Sequence, residues 1–215
     1  MGISKNGPNG PVTGRVGNLV YYMLNGQPVV RSIGKIMKAA SVPQLSSRKV
    51  TCISSKLLKM FKPFIKVGFS IEIIGTNQNA FNMAVSVNKR AMMTGVYPNF
   101  QVDYSKLVLS RGILKTGEEL KVSATNQAIS FTWKAEEKMA WPESTDLVMM
   151  IAYFPGIDKT IVKVGGNARN TGADQMAIPQ SLKGLHSETY IAFVAADRTQ
   201  VSDSTYLGSL NLAVQ

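Results

Sequence analysis

The sequence predicts an α+β fold in which an N-terminal β-hairpin and two helices precede an all-β sandwich. Three observations indicate it: an Asn-Gly turn signal between β-rich runs, apolar residues at three- and four-residue steps in the next segment, and short β-rich runs from about residue 105 onward. At 215 residues the chain has room for two domains. We expect a basic N-terminal domain over residues 1–104 and the sandwich over residues 105–215.

The hairpin is predicted by VGNLVYYMLNGQPVVRS, residues 16–32, in which Asn25-Gly26 is the preferred pair for a type I′ turn. Pro28 has no amide hydrogen, which is typical of an edge strand. The glycines and prolines of residues 1–14 argue against a helix or a core strand there. We therefore expect this arm to be held by another chain or by nucleic acid.

Two helices are predicted after the hairpin. The apolar residues of segment 44–66 fall within an arc of about 100°, and Pro63 is expected to kink or end that helix. A second helix is predicted over residues 79–94, with Gly95 as the residue that ends it. The apolar arc of the first helix contains Val50, Ile53, Leu57, Met60, Phe61 and Phe64.

From about residue 105 the hydrophobic pattern changes to that of short strands. Seven or eight β-rich runs alternate with turn signals over roughly 110 residues, a spacing typical of a β-sandwich. The runs are KLVLS, LKVSA, AISFTWK, LVMMIAYF, KTIVKV, DQMAI, TYIAFVAA and STYLGSLNL.

The segment LKGLHSETYIAFVAADRTQVSDS resembles the end of a fibronectin type III domain, where a leucine precedes a tyrosine corner, an apolar strand and a serine-rich turn. Trp133 in ISFTW resembles the core tryptophan of an early strand of that family. The resemblance implies a fibronectin III or immunoglobulin-like sandwich. The long GGNARNTGAD turn departs from the family, and no RGD tripeptide is present, so nothing about adhesion carries over. The segment's matching residues are Leu185, Tyr190, Ile191, Phe193, Val194, Ala196 and Ser202.

The whole chain resembles a family of uncharacterised proteins from Bacteroidota bacteria. The segments that carry this resemblance are GRVGNLVYYMLNGQPVVRS, FKPFIKVGF, AFNMAVSVNKRAMMTGVYPNFQVDYSKLVLSRG and the final strands. It implies an architecture and a bacterial or bacteriophage origin, and it implies no mechanism.

Charge is distributed unevenly along the chain. The formal net charge is +11, and no Asp or Glu occurs before Glu72. Such an excess of basic residues attracts polyanions, so we expect sequence-independent contact with nucleic acid or another polyanion. The residues predicted to make it are Arg15, Arg31, Lys35, Lys38, Arg48, Lys49, Lys56, Lys59, Lys62 and Lys66.

No catalytic or metal site is expected, and no cofactor or small-molecule substrate. His186 and Cys52 are the only residues of their types, so a zinc site would lack its usual ligands. We place His186 in a solvated turn and Cys52 on the apolar side of the first helix. The pairs Glu118-Glu119 and Glu136-Glu137 lie in predicted turns, where adjacent side chains point apart. The glycine clusters fit no nucleotide-binding motif.

No signal peptide and no apolar stretch of bilayer length is visible, so we expect a protein of the cytoplasm or of a virion, without a membrane span. The leading hypothesis is a non-enzymatic structural protein of a larger assembly, such as a phage or phage-like particle, acting as a homo-oligomer or with other subunits. The alternative is a cytoplasmic nucleic-acid- or ribosome-binding protein that acts as a monomer. A third hypothesis is a surface interaction module.

Overall fold

The computed structural model describes residues 2–4, 10–24, 26–35, 37–125, 127–135 and 139–211. Among these the chain forms two compact units, residues 1–44 and residues 45–215. Each unit is described by itself below. The fold is mixed α+β, with antiparallel strands in several sheets, as the sequence predicts.

The amino-terminal unit is a four-stranded antiparallel sheet in the order β1-β2-β3-β4. The predicted hairpin is formed by β3 and β4, and Leu24 pairs with Gln27 across a two-residue connection. Gly26 has a φ of 81°, in the left-handed region that glycine favours, while Asn25 lies outside the described residues. The strands are β1 Gly2–Ser4, β2 Val12–Val16, β3 Leu19–Leu24 and β4 Gln27–Ser32.

The prediction excludes a core strand in residues 1–14; β1 and the start of β2 are strands within that segment, and none of their residues is buried. Gly2 pairs with Gly14, and a Cβ added at Gly2 would lie 2.5 Å from the Val16 side chain. Glycine therefore permits the close approach of these strands, which a larger residue would prevent. Part of the arm is thus paired within its own unit, and residues 5–9 lie outside the described residues.

Helices occupy the next part of the chain, and the expected interruption at Pro63 is confirmed. Pro63 lies in the first turn of a new helix, where its missing amide hydrogen costs no intrahelical hydrogen bond. Cys52 is exposed rather than apolar-facing, because 100° per residue places it about 130° from the centre of the apolar arc. The elements are α1 Val42–Leu58, a 3₁₀ turn Lys59–Phe61, α2 Lys62–Gly68 and α3 Ala80–Ala91.

Helix α3 is shorter than predicted. Asn79 caps it, since its side-chain oxygen accepts a hydrogen bond from the Asn82 amide at 2.8 Å. The helix ends at Ala91, and Gly95 lies beyond it in the hairpin of β5 (Met93–Val96) and β6 (Asn99–Val102) with a φ of 85°. A Cβ at Gly95 would lie 2.5 Å from the Asn99 carbonyl oxygen, so the tight hairpin requires glycine.

The strand predicted for KLVLS is absent, although its leucines are buried. Side chains and a helix end satisfy this backbone instead of a neighbouring strand. The side chain of Asn88 bonds both the amide and the carbonyl of Val108, at 2.7 Å each, and the Leu109 amide donates to the Ser204 hydroxyl at 2.9 Å. Apolar alternation alone cannot distinguish such a buried connection from a strand.

The other seven predicted runs form strands of two antiparallel sheets. The larger sheet has the order β10-β9-β12-β13 and the smaller has the order β11-β8-β7. The strands are β7 Lys121–Ala124, β8 Ala128–Thr132, β9 Leu147–Phe154, β10 Lys159–Ala168, β11 Ala173–Ala177, β12 His186–Val194 and β13 Thr205–Asn211.

The larger sheet is covered on both faces. One face carries Val148, Met150 and Phe193. These residues share a core with Phe131 of β8, in the smaller sheet, and with Trp133, which directly follows β8. The opposite face packs against the helices, and the residues of that second core include Leu58, Phe61, Phe64, Met149, Ile151, Tyr153, Tyr190 and Ala192. The run LVMMIAYF is therefore apolar throughout because both faces of β9 are buried.

This second core also determines how the chain divides. The helices belong with the sheets because they share buried residues, and the compact units divide between residues 44 and 45. That division differs from the boundary predicted between residues 104 and 105, which assigned the helices and the sheets to separate domains.

Candidate interaction surfaces

The first candidate surface is a row of basic residues along α1 and α2. The side of these helices opposite the row is buried, with Leu57, Phe61 and Phe64 in the core. At 1.5 Å per residue the row extends roughly 27 Å. Its members, all exposed, are Arg48, Lys49, Lys56, Lys59, Lys62 and Lys66. We call this set the cationic row; the structure brings these six predicted residues onto one exposed surface.

One residue of the cationic row has an acidic partner. Lys56 lies 3.3 Å from Asp158, which follows β9. The hydrogen bond from the Tyr153 hydroxyl, together with Lys56, lowers the pKa of the Asp158 carboxyl. Among the described residues no carboxylate lies within 4.0 Å of the other five, so their charge is not compensated locally.

At its carboxyl end the cationic row borders an apolar cleft of about 500 Å³. Lys62 and Lys66 lie on it together with Ile65, Ile73 and Phe81. Sequence reasoning did not identify this cleft, because Ile73 and Phe81 approach the helix only through the tertiary fold. The cleft therefore places an apolar surface next to the two lysines, where an apolar group of a bound partner has room to pack.

The predicted residues of the amino-terminal unit occupy one sheet face and a connecting segment. Residues that pair directly across strands share a face, so Arg15, Val20 and Arg31 lie side by side on β2, β3 and β4. Two strand spacings separate the arginines by about 10 Å. Tyr22 lies on the same face, two residues along β3. Lys35 and Lys38 are exposed in the segment after β4.

The other face of this sheet has no charged residue among the described positions. Val16, Leu19, Met23 and Val30 are exposed there, and Tyr21 is half-buried. We call it the uncharged face. From the strand register its members are Gly2, Ser4, Val12, Gly14, Val16, Leu19, Tyr21, Met23, Pro28, Val30 and Ser32.

His186 opens strand β12, rather than lying in the predicted turn. Its Nε2 lies 2.8 Å from Glu188 Oε1 and its Nδ1 lies 3.1 Å from Asn211 Oδ1. The hydrogen bond to Glu188, and then that to Asn211, raises the pKa of His186. Both ring nitrogens face side-chain oxygens, an arrangement that favours the protonated imidazole.

This arrangement predicts a pH-dependent contribution of His186 to stability. Because its pKa is raised on folding, the contribution is complete below the unfolded value of about 6.5 and is lost as the pH rises through the folded value. The stability difference between the unchanged chain and His186→Gln is therefore expected to be larger at about pH 5.5 than at about pH 8.5. Urea unfolding at both pH values measures it. An identical difference at the two values would contradict the assignment.

The described residues contain no group of three or more His, Cys, Asp or Glu side chains that could hold a metal ion. Glu118 forms ion pairs with Lys115 at 3.2 Å and Lys134 at 3.6 Å, and Glu119 lies 3.8 Å from Lys134. The pair Glu136-Glu137 lies outside the described residues. Within the described chain, no helix combines the length and apolar content needed to cross a bilayer.

The model of DUF6266, a family of unknown function, matches residues 11–208. A comparison with curated proteins gave no significant match.

Proposed function

Because the chain belongs to DUF6266, a family of unknown function, we propose its role from its own surfaces. The protein is a non-enzymatic structural component of a larger assembly, such as a phage or phage-like particle. The uncharged face of the amino-terminal sheet binds a second copy of the chain. The basic side chains of the amino-terminal half contact neighbouring subunits or nucleic acid.

One observation carries this proposal: no described residue of the amino-terminal unit is buried. A small sheet is marginally stable in water unless one of its faces packs against something. The exposed Val16, Leu19, Met23 and Val30 of the uncharged face form a contiguous apolar surface of the kind that marks protein interfaces. A partner that covers this face supplies the burial that the unit lacks.

A second copy is the partner that best fits this face. Residues 1–44 contain five basic and no acidic residues, so a cationic surface here would repel its own copy. The uncharged face avoids that repulsion because its described residues carry no charge, and two identical apolar faces can pair about a twofold axis. The arginine-bearing face then remains available on the outside of the pair.

The second candidate function is that of a cytoplasmic nucleic-acid- or ribosome-binding protein. The cationic row favours it, because five of its six charges have no carboxylate partner among the described residues. Such a row can follow a phosphate backbone without reading base sequence. Arg15 and Arg31 with Tyr22 between their strands add two phosphate contacts and a stacking ring.

The strands after residue 120 are assigned here to a fibronectin type III-like sandwich. Their seven strands in antiparallel sheets of four and three support the assignment, as do the buried Trp133 and Tyr190. One departure concerns the tyrosine corner: the Tyr190 hydroxyl donates to the distant Tyr104 carbonyl at 2.8 Å rather than to a carbonyl a few residues upstream. We also propose an origin in Bacteroidota or their phages.

Substitution on the uncharged face tests the proposed assembly. Val30→Asp places a charge on this face, on the edge strand β4, and is expected to shift the protein to a smaller species in sedimentation velocity. Ile74→Asp is the matched control, because Ile74 is an exposed apolar residue of the other unit. Equal sedimentation of both variants and the unchanged chain would remove the uncharged face from the proposal.

A further inference from the structure

A cleft of about 390 Å³ lies beside the larger sheet, in the part of the chain that follows β6, and it shares no residue with the cationic row. Its rim carries two large apolar side chains, Trp141 and Ile113, each 80% exposed. Its volume is at the lower end of the range for small-molecule pockets, which begins near 300 Å³. The cleft is therefore large enough for a small molecule or for one long side chain.

Acidic side chains line the same cleft. Glu143, Asp146 and Asp197 all contribute to its wall, and Lys115 is the one basic residue among its described lining residues. Lys115 in turn lies 3.2 Å from Glu118. The cleft thus combines an exposed aromatic face with three carboxylates.

Asp146 is only 2% exposed, and its Oδ2 has no hydrogen-bond partner among the described residues. The nearest cation is the Nε of Arg169 at 3.5 Å, which likewise makes no hydrogen bond. A buried carboxylate oxygen without a hydrogen bond is unfavourable, so Asp146 retains capacity for a donor. Burial raises the pKa of Asp146; the charge of Arg169 opposes that rise, and the charges of Glu143 and Asp197 add to it.

Arg169 cannot reorient to satisfy Asp146 because its other groups are engaged. Its Nη1 donates to Glu143 Oε1 at 3.2 Å, and its Nη2 donates to the Lys115 carbonyl. Its guanidinium lies over the Phe193 ring at 4.1 Å. The arginine is held in place, and its Nε faces Asp146 Oδ2 at 3.5 Å as a buried ion pair.

Asp197 is exposed and is held by its own turn. Its Oδ1 accepts hydrogen bonds from the Thr199 amide at 2.9 Å and the Thr199 hydroxyl at 2.7 Å. These bonds, the amide first, lower the pKa of Asp197, so it is ionised at neutral pH. No hydrogen bond to its other carboxylate oxygen occurs among the described residues.

We propose that this cleft binds a guanidinium group, with its plane against the Trp141 ring and its N–H groups donating to Asp197. The Trp141 ring and the carboxylates of the cleft both favour a cation, because tryptophan is the best ring for cation–π contact and carboxylates accept charge-assisted hydrogen bonds. A planar guanidinium can stack and donate in two directions at once, which an ammonium group cannot. An anion would face three carboxylates. This inference does not depend on the proposed assembly.

The two tryptophans allow a direct test by ¹⁵N NMR of the full chain, because each indole N–H gives one signal. N-acetyl-arginine amide is the ligand, and its neutral isostere N-acetyl-citrulline amide is the control. We expect the Trp141 signal to shift and saturate in the millimolar range, while the buried Trp133 signal stays in place. The citrulline compound should bind at least about fivefold more weakly, and added salt should weaken arginine binding.

Variants at exposed positions keep the test independent of folding. Trp141→Ala and Asp197→Asn should each weaken arginine binding about threefold or more. Because Trp141→Ala lacks the indole signal, its binding is measured from other signals of the cleft, such as that of Thr199. Glu119→Gln removes an exposed carboxylate outside the cleft and should leave binding unchanged. A parallel titration with the peptide Gly-Arg-Gly amide distinguishes two sources of the guanidinium group. If the peptide binds more tightly than N-acetyl-arginine amide, the ligand is an arginine side chain of a protein rather than a free small molecule. Equal binding of arginine and citrulline compounds, or binding indifferent to Asp197→Asn, would overturn the proposal.

Discussion

Replacing Trp133 by alanine is expected to lower the free energy of unfolding by about 3–5 kcal/mol. Trp133 is 5% exposed, and its ring meets the Phe193 ring edge-on at a centroid distance of 5.5 Å. Its Nε1 donates a hydrogen bond to the Arg169 carbonyl at 2.6 Å. The substitution therefore opens a cavity between the two sheets and leaves a buried carbonyl without its donor.

Urea unfolding followed by circular dichroism measures this loss. Trp141→Ala is the matched control, because that ring is exposed and its removal is expected to change the unfolding free energy by less than about 0.5 kcal/mol. A loss below about 1 kcal/mol for Trp133→Ala would mean that the contact between the two sheets contributes little to stability.

The second large effect is expected in the salt dependence of nucleic-acid binding. If the six residues of the cationic row each neutralise one phosphate, the slope of log K against log salt is near −5. Binding then weakens on the order of a thousandfold between 50 and 200 mM salt. Lys62→Glu with Lys66→Glu removes two of these contacts and should make the slope shallower by about 2.

Fluorescence anisotropy of a labelled oligonucleotide at several salt concentrations gives these slopes. The control is Lys121→Glu with Arg198→Glu, which makes the same change in net charge at exposed positions outside the cationic row. If both double variants change the slope equally, net charge rather than the row is responsible. If the unchanged chain does not bind at low salt, the nucleic-acid role is wrong.

Much of the secondary structure follows from sequence periodicity. Seven of the predicted strand runs, the hairpin at Gly26 and the interruption at Pro63 are found where local patterns indicate them. These features depend on neighbouring residues, through turn geometry, missing amide hydrogens and the alternation of side chains. The uninterrupted apolar run of β9 also contains information, since such a run is typical of a strand that is buried on both faces.

The features that sequence reasoning missed depend on contacts between distant residues. Leu107 and Leu109 are buried without forming a strand because Asn88 and Ser204 satisfy the backbone beside them. Strand β1 forms because Gly2 lies opposite Gly14, a pairing that no local signal in a glycine-rich arm reveals. The grouping of the helices with the sheets likewise depends on a shared core.

The candidate surfaces show the same contrast. The cationic row was predictable, because a helical period and a list of charged residues are enough to locate it. The uncharged face required the strand register, which alone determines the residues that share a side of the sheet. The cleft at Trp141 required the tertiary fold, since residues 113–115, 141–146 and 195–200 line it together.

The molar mass of the unmodified, nuclease-treated chain tests the central claim, that this protein acts by assembly through its amino-terminal sheet. Light scattering coupled to size exclusion measures that mass directly, over a range of loading concentrations. We expect a species of at least twice the 23.4 kDa of one chain. A mass of 23.4 kDa at every concentration would contradict it and would favour the monomeric nucleic-acid-binding protein instead.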